Sequence, residues 1–176
     1  MSATLHLGDL APDFTLPDTD GNAVALAVEA PATVVVFTCN HCPYALAWHD
    51  RLIDAARDYA GQGVRFLFIN PNDGVSHPGD SYEAMQKRVA GEDWPAPYLH
   101  DADQDVAHAY AAATTPHVYL LDAGRTLVYE GAPDGDHRDP AQNAVWLRAA
   151  LDDVLAGRPV AQPETKPVGC SVKYRS

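Results

Sequence analysis

The passage that most constrains this chain is Val34-Val35-Val36-Phe37-Thr38-Cys39-Asn40-His41-Cys42-Pro43. Its β-branched and aromatic run reads as a buried strand that stops at Thr38. Two cysteines follow with two residues between them. From Tyr44 the apolar spacing turns helical, with Leu46, Ile53, Ala56 and Ala60 on one face up to a stop at Gly61. A strand that hands a Cys-x-x-Cys pair to the start of a helix is a redox arrangement, because orphan N–H groups and the helix dipole favour a thiolate there. A free thiol ionises near 8.5, so half-ionisation at pH 7 needs a shift of roughly 1.5 units, or about 2 kcal/mol. The dipole supplies about 0.3 to 1 kcal/mol at an exposed site and about 2 kcal/mol when partly buried, so it needs help. His41, between the sulfurs, is the expected helper as a positive charge or donor. The placement predicts that Cys39 sits at the cap position and is the more ionised sulfur.

The rest of the chain fits an α/β order around that unit. Asp20-Gly21 between two short extended runs predicts an N-terminal hairpin. Residues 64–69 read as the next buried strand, 81–90 as a short helix, 94–99 as an extended piece and 103–113 as an alanine-rich helix. Residues 117–121 and 126–129 predict a second hairpin, and 140–156 an amphipathic helix ended by Gly157-Arg158-Pro159. Strand, helix, strand, then helix, hairpin, helix implies a central mixed sheet flanked by helices. The division expected is a domain over residues 1–158 and an extended C-terminal tail over 159–176 that carries Cys170. The loop histidines His77, His100, His108 and His137 share no spacing and read as surface residues.

With 176 residues, one domain with a full core is expected. The net charge of -12 and the lack of a basic stripe argue against nucleic acid or an anionic membrane surface as partner. Three cysteines are too few for a disulfide scaffold. Met1-Ser2-Ala3-Thr4-Leu5-His6 has neither a basic nor an apolar stretch of the export type, so a cytoplasmic location is the expectation. A metal module is the alternative of another class, with His117 completing a copper or zinc site beside Cys39 and Cys42. A structural zinc site wants four ligands, and no second Cys-x-x-Cys exists to supply them.

Four segments resemble one family. Ala11-Pro12-Asp13-Phe14-Thr15-Leu16-Pro17-Asp18 looks like the opening of redoxin domains, the AhpC/TSA group of peroxiredoxins and their thioredoxin-like relatives. Cys39-Asn40-His41-Cys42 stands where the thioredoxin pair stands. Thr115-Pro116 looks like the cis-proline that faces that pair, and Gly169-Cys170-Ser171-Val172-Lys173-Tyr174 resembles the ending of a peroxiredoxin-like subgroup. The resemblance implies a thioredoxin fold with an N-terminal extension, a thiol-disulfide oxidoreductase and no cofactor. Its partners would be a protein disulfide or a peroxide, and a thiol reductant such as a thioredoxin or glutathione system. Thr38, Asn40, His41, Pro43, Thr115 and Pro116 would shape the site.

Two reactions follow from the resemblance. In the thioredoxin register Cys39 attacks a disulfide and Cys42 resolves the mixed disulfide. In the peroxiredoxin register Cys42-Pro43 is the peroxidatic cysteine with its proline, oxidised to a sulfenic acid that a second thiol condenses with. That family's threonine is replaced by Cys39, and Thr114-Thr115-Pro116 stands where its arginine would be, so disulfide exchange ranks first. Cys170 is the candidate resolving thiol. An extended chain covers about 3.3 Å per residue, so an arm from Gly157 can fold back across the domain.

Overall fold

In chain order the elements are β1 (Thr15–Pro17), β2 (Ala23–Ala25), β3 (Ala32–Phe37), α1 (Pro43–Ala60), β4 (Arg65–Asn70), α2 (Tyr82–Gly91), β5 (Tyr98–His100) and α3 (Asp105–Ala109). They continue with β6 (Thr114–Thr115), β7 (His117–Asp122), β8 (Leu127–Gly131), α4 (Val145–Leu155) and β9 (Cys170–Ser171). This computed structural model describes residues 4–176; Met1 to Ala3, part of the stretch read above for export signals, lie outside the described residues.

Five strands form the main sheet in the order β5-β4-β3-β7-β8. β3 runs parallel to β4 and antiparallel to β7, and every residue of it is buried. Its alternate side chains serve two cores. Val34 and Val36 meet Trp48, Leu52, Ala55 and Ala56 of α1 and Leu147 and Leu151 of α4. Val35 and Phe37 face Phe14, Leu26, Tyr110 and Tyr119 on the other side. A strand buried on both faces needs no polar alternation, which is why the run reads as continuously apolar. The β1–β2 hairpin closes as its Asp-Gly pair predicts: the Asp18 carboxylate accepts the N–H groups of Asp20 and Asn22, and Gly21 takes φ +82°.

Several boundaries differ from the sequence reading. The alanine-rich helix is cut to Asp105–Ala109 because Gln104 and Ala111 hold left-handed backbone, φ 66° and 53°. The last helix starts at Val145, after a single 3₁₀ turn at Pro140–Gln142, because Asn143 and Ala144 are also left-handed. The expected extended piece over 94–99 becomes a strand only at Tyr98–His100. Residues 159–176 form a strap: Thr165 N–H donates to Glu130 O, and β9 pairs antiparallel with β6. Among the described residues, no helix is long and apolar enough to cross a membrane.

One buried ion pair ties α1 to the start of α4. Arg51 Nη1 lies 2.9 Å from Asp134 Oδ2, and the same carboxylate accepts Trp48 Nε1 at 2.8 Å and Ala144 N at 2.9 Å. The Asp134-Gly135-Asp136 turn is therefore an anchor for two helices. Asp134→Ala should strand the Arg51 charge in the core and lower unfolding free energy by about 3–5 kcal/mol, measured by denaturant titration. A loss below about 1 kcal/mol would show that the pair is not structural.

Candidate active site

β3 and β4 run parallel, and both end at the cysteines. The carboxyl ends of neighbouring parallel strands are where open α/β sheets build sites. Thr38 continues the β3 ladder, its N–H donating to Ile69 O at 2.8 Å, and the chain then turns through Cys39, Asn40 and His41. α1 opens with Pro43 as its first residue, which fits because its missing N–H would be orphaned there. Cys42 is the N-cap residue, with extended backbone and no side-chain cap.

The turn is held from beneath by Asp80, a buried carboxylate at the end of the Gly, Pro and His-rich loop. Asp80 Oδ1 accepts Asn40 N at 2.7 Å and Asn70 Nδ2 at 3.0 Å. Asp80 Oδ2 accepts Asn72 Nδ2 at 2.9 Å and His41 Nδ1 at 2.6 Å. A carboxylate has about four lone-pair positions, and all are filled. Asn40 is equally committed. Its Nδ2 donates to Gly79 O, and its Oδ1 accepts Tyr98 OH at 2.7 Å and Arg88 Nη1 at 3.1 Å. Arg88 also reaches Cys39 O at 3.1 Å, with its guanidinium 5.2 Å from the Trp94 ring centre.

The sulfurs lie above this network, and both Cys39 and Cys42 are 1% exposed. Thr115, joined to Pro116 by a cis peptide, faces them: its Oγ1 is 3.4 Å from Cys39 Sγ and its carbonyl O is 3.3 Å from Cys42 Sγ. Opposite Thr115 in the β6–β9 register stands Cys170, half-buried against the pair. Thus Cys39, Cys42, Cys170, Thr115 and Pro116, which the sequence scatters over its length, meet at one point.

The order of acidity reverses the sequence expectation. The Cys42 thiol is held far below its ordinary value, first by the Cys39 thiol, which donates to it, and further by the Cys170 thiol and the backbone N–H groups of Ala45 and Cys170. Thr115 O is the one acceptor beside it, and it favours the protonated form. These contributions outweigh burial, which pushes Cys42 up, as well as that acceptor. Cys39 is pushed up, first by its interaction with Cys42, in which it keeps its proton, then by burial, with the Asp80 charge adding to the shift. Cys170 is raised to about 11 by burial and by its own interaction with Cys42. The physical reason is register: Cys42, not Cys39, caps the helix.

Two further expectations change. The His41 ring bonds Asp80 and stacks on His77 instead of serving a sulfur; only its backbone N–H helps Cys39. His117 does not join the cysteines. Its Nε2 lies 3.0 Å from Glu130 Oε1 and its Nδ1 accepts Ala113 N at 3.2 Å, so the proposed metal trio does not form. Cys39, His41 and Asp80 do cluster within 4.8 Å, but Asp80 has no lone pair to spare for an ion. Sequence reading missed Asp80, Arg88, Asn70, Asn72 and Tyr98. The available signal was Asn70-Pro71-Asn72 at the carboxyl end of the strand next to the cysteine strand.

The sheet order, with a Cys-x-x-Cys turn between β3 and α1 facing a cis-proline, defines a redoxin of thioredoxin fold. The chain belongs to the AhpC/TSA family, whose model matches residues 7–130. It is similar to a hypothetical protein from Sinorhizobium meliloti at 39% identity, covering 99% of this chain and 98% of that one, TM-score 0.92. An uncharacterized conserved protein from Geobacillus kaustophilus is 41% identical, with 99% and 95% covered and TM-score 0.90. The thioredoxin domain of a thiol-disulfide oxidoreductase from Bacteroides vulgatus shares the fold at 21% identity, with 76% and 93% covered and TM-score 0.61. No curated protein is similar to the chain in sequence.

Removing the Cys39 donor should cost Cys42 one charge-assisted hydrogen bond, about 1.5–3 kcal/mol, or about one to two pKa units. In Cys39→Ala the inflection of Cys42 alkylation rate against pH should therefore move upward by that amount. An unmoved inflection would show that the Cys39 thiol does not hold the Cys42 charge.

Proposed function

We propose that the chain is a thiol-disulfide oxidoreductase in which Cys42 is the attacking sulfur and Cys39 its resolving partner. The observation that carries this reading is the Cys42 sulfur at the α1 N-cap, held low by thiol and backbone donors. The Cys42 thiolate attacks one sulfur of a disulfide, forming a mixed disulfide and expelling one thiolate. Cys39 then gives up its proton and attacks Cys42 Sγ, expelling the second thiolate. The protein is left with a Cys39–Cys42 disulfide, and two electrons have passed to the substrate.

Thr115 supports both sulfurs, Pro43 starts the helix that favours the thiolate, and Asn40 and Asp80 fix the turn between them. A thiol reductant such as a thioredoxin or glutathione system, in a cytoplasmic setting, would reopen the disulfide and complete the cycle.

A thiol peroxidase is the second reading, favoured by the same finding that the low-pKa cysteine is Cys42, followed by Pro43. There the thiolate attacks the peroxide oxygen, yielding a sulfenic acid and an alcohol or water. Cys39 or Cys170 condenses with it and releases water. Cys39 occupies the threonine position of the peroxiredoxin motif, which ranks this reading second.

Stopped-flow oxidation by hydrogen peroxide and by a disulfide separates the readings. Cys42→Ser should lose at least about 10³-fold in the first step with whichever oxidant is used, since a hydroxyl cannot replace the thiolate. Cys39→Ser should still attack through Cys42 and accumulate a mixed disulfide visible by mass. First-step loss confined to Cys39→Ser would overturn the assignment.

A further inference from the structure

The strand β6, Thr114–Thr115, is the backbone edge that faces the sulfurs. Any extended polypeptide that brought a disulfide in line with Cys42 would have to lie along it. Such strands gain affinity by adding to an open edge. Here the edge is taken by the chain itself. Cys170 is the register partner of Thr115 and Ser171 that of Thr114. Gly169 lies so close that a Cβ on it would stand 2.2 Å from Thr115 O.

Beyond this pair the strap is fixed on a second side. Val172 N–H donates to Ala113 O at 3.0 Å, Lys173 N–H to Asn72 Oδ1 at 2.8 Å, and Tyr174 OH to Ala112 O at 2.6 Å. Tyr174 also stacks on His108, and the carbonyl of Lys173 accepts both Asp73 N–H and Gln104 Nε2. The Cys170 side chain packs against Cys39 and Cys42, where an incoming substrate cysteine would need to sit.

We infer that residues 169–171 act as a built-in occupant of the docking edge, so that the oxidants this site accepts are small disulfides or hydroperoxides and not disulfides in folded proteins. This deepens the proposed function and rests on Cys42 as the attacking sulfur. An approach remains beside Tyr44, which packs against the sulfurs. A cleft of about 480 Å³, lined by Tyr44, Trp48, His137, Trp146, Lys166 and Val168, abuts the sulfur cluster through Tyr44. That volume suits a small molecule and not a strand with its flanking backbone.

For a small disulfide the step balances as before: the Cys42–S bond forms, the substrate S–S bond breaks, one thiolate leaves, and Cys39 or Cys170 expels the other. The proton of the resolving thiol leaves with the expelled thiolate.

The test compares reduced full-length protein against bis(2-hydroxyethyl) disulfide and against insulin. Wild type should react with the small disulfide about 100-fold faster or more, because a protein substrate must wait for the strap to open. Gly169→Ala forces the strap off Thr115. Tyr174→Ala loosens it from its far side, away from the sulfurs. Both should narrow the gap about tenfold and speed hydrogen exchange of the Val172 amide, since the open population grows. Equal wild-type rates on the two substrates would overturn the inference while leaving the dithiol reading intact. Faster Val172 exchange with no narrowing would do the same. No reaction of wild type with either disulfide would remove the dithiol reading itself, and the inference with it.

Discussion

The site depends on one buried anion. Asp80 is fully buried, and an unpaired charge there would be prohibitively costly, so its four acceptor positions dictate where four donors must go. Those donors come from the Asn40 backbone, the His41 ring, Asn70 at the end of β4 and Asn72 just beyond it. Satisfying the carboxylate thus locks the cysteine turn to the neighbouring strand. The same charge makes Cys39 harder to ionise, while Cys42 faces the helix N-terminus. The buried charge and the helix start together separate the two thiols by function before any substrate arrives.

The three cysteines then form a hierarchy instead of a symmetrical pair. Cys42 is the most acidic sulfur, and the two neighbouring thiols favour its charged form. In a nearly dry pocket such an interaction is worth more than in water, because no solvent competes for the lone pairs. An oxidised Cys42 has both other thiols packed in the same cluster, within one end of the sheet.

Much of this architecture was legible in the chain. The run before Cys39 identifies the central strand because a strand covered on both faces has no polar positions to confuse the pattern. The Asp-Gly turn, the helix after Pro43 and the hairpin after Pro116 followed from local chemistry. The short third helix did not, because alanine propensity is a weak preference, and left-handed Ala111 turns the chain toward β6 against it. Asp80 was invisible for another reason: a carboxylate in an irregular loop has no period, and its partners lie on other segments. The acidity order was misread because the helix starts three residues later than expected, so Cys42 and not Cys39 meets the N-terminal amides. His117 showed the opposite error. Its position beside Pro116 is close in sequence to the site, yet its ring turns to Glu130 and Tyr119.

The pairing of Thr115 with Cys170 also bears on how the molecule is made. The cysteine strand, its helix and the proline edge leave the ribosome well before Gly169 and Cys170, and domains generally begin to fold from their earlier portions. A growing chain therefore carries the Cys39–Cys42 turn without this cover until residues 169–171 emerge. For that interval the thiols lack their cover, and loss of residues 169–171 would make that exposure permanent.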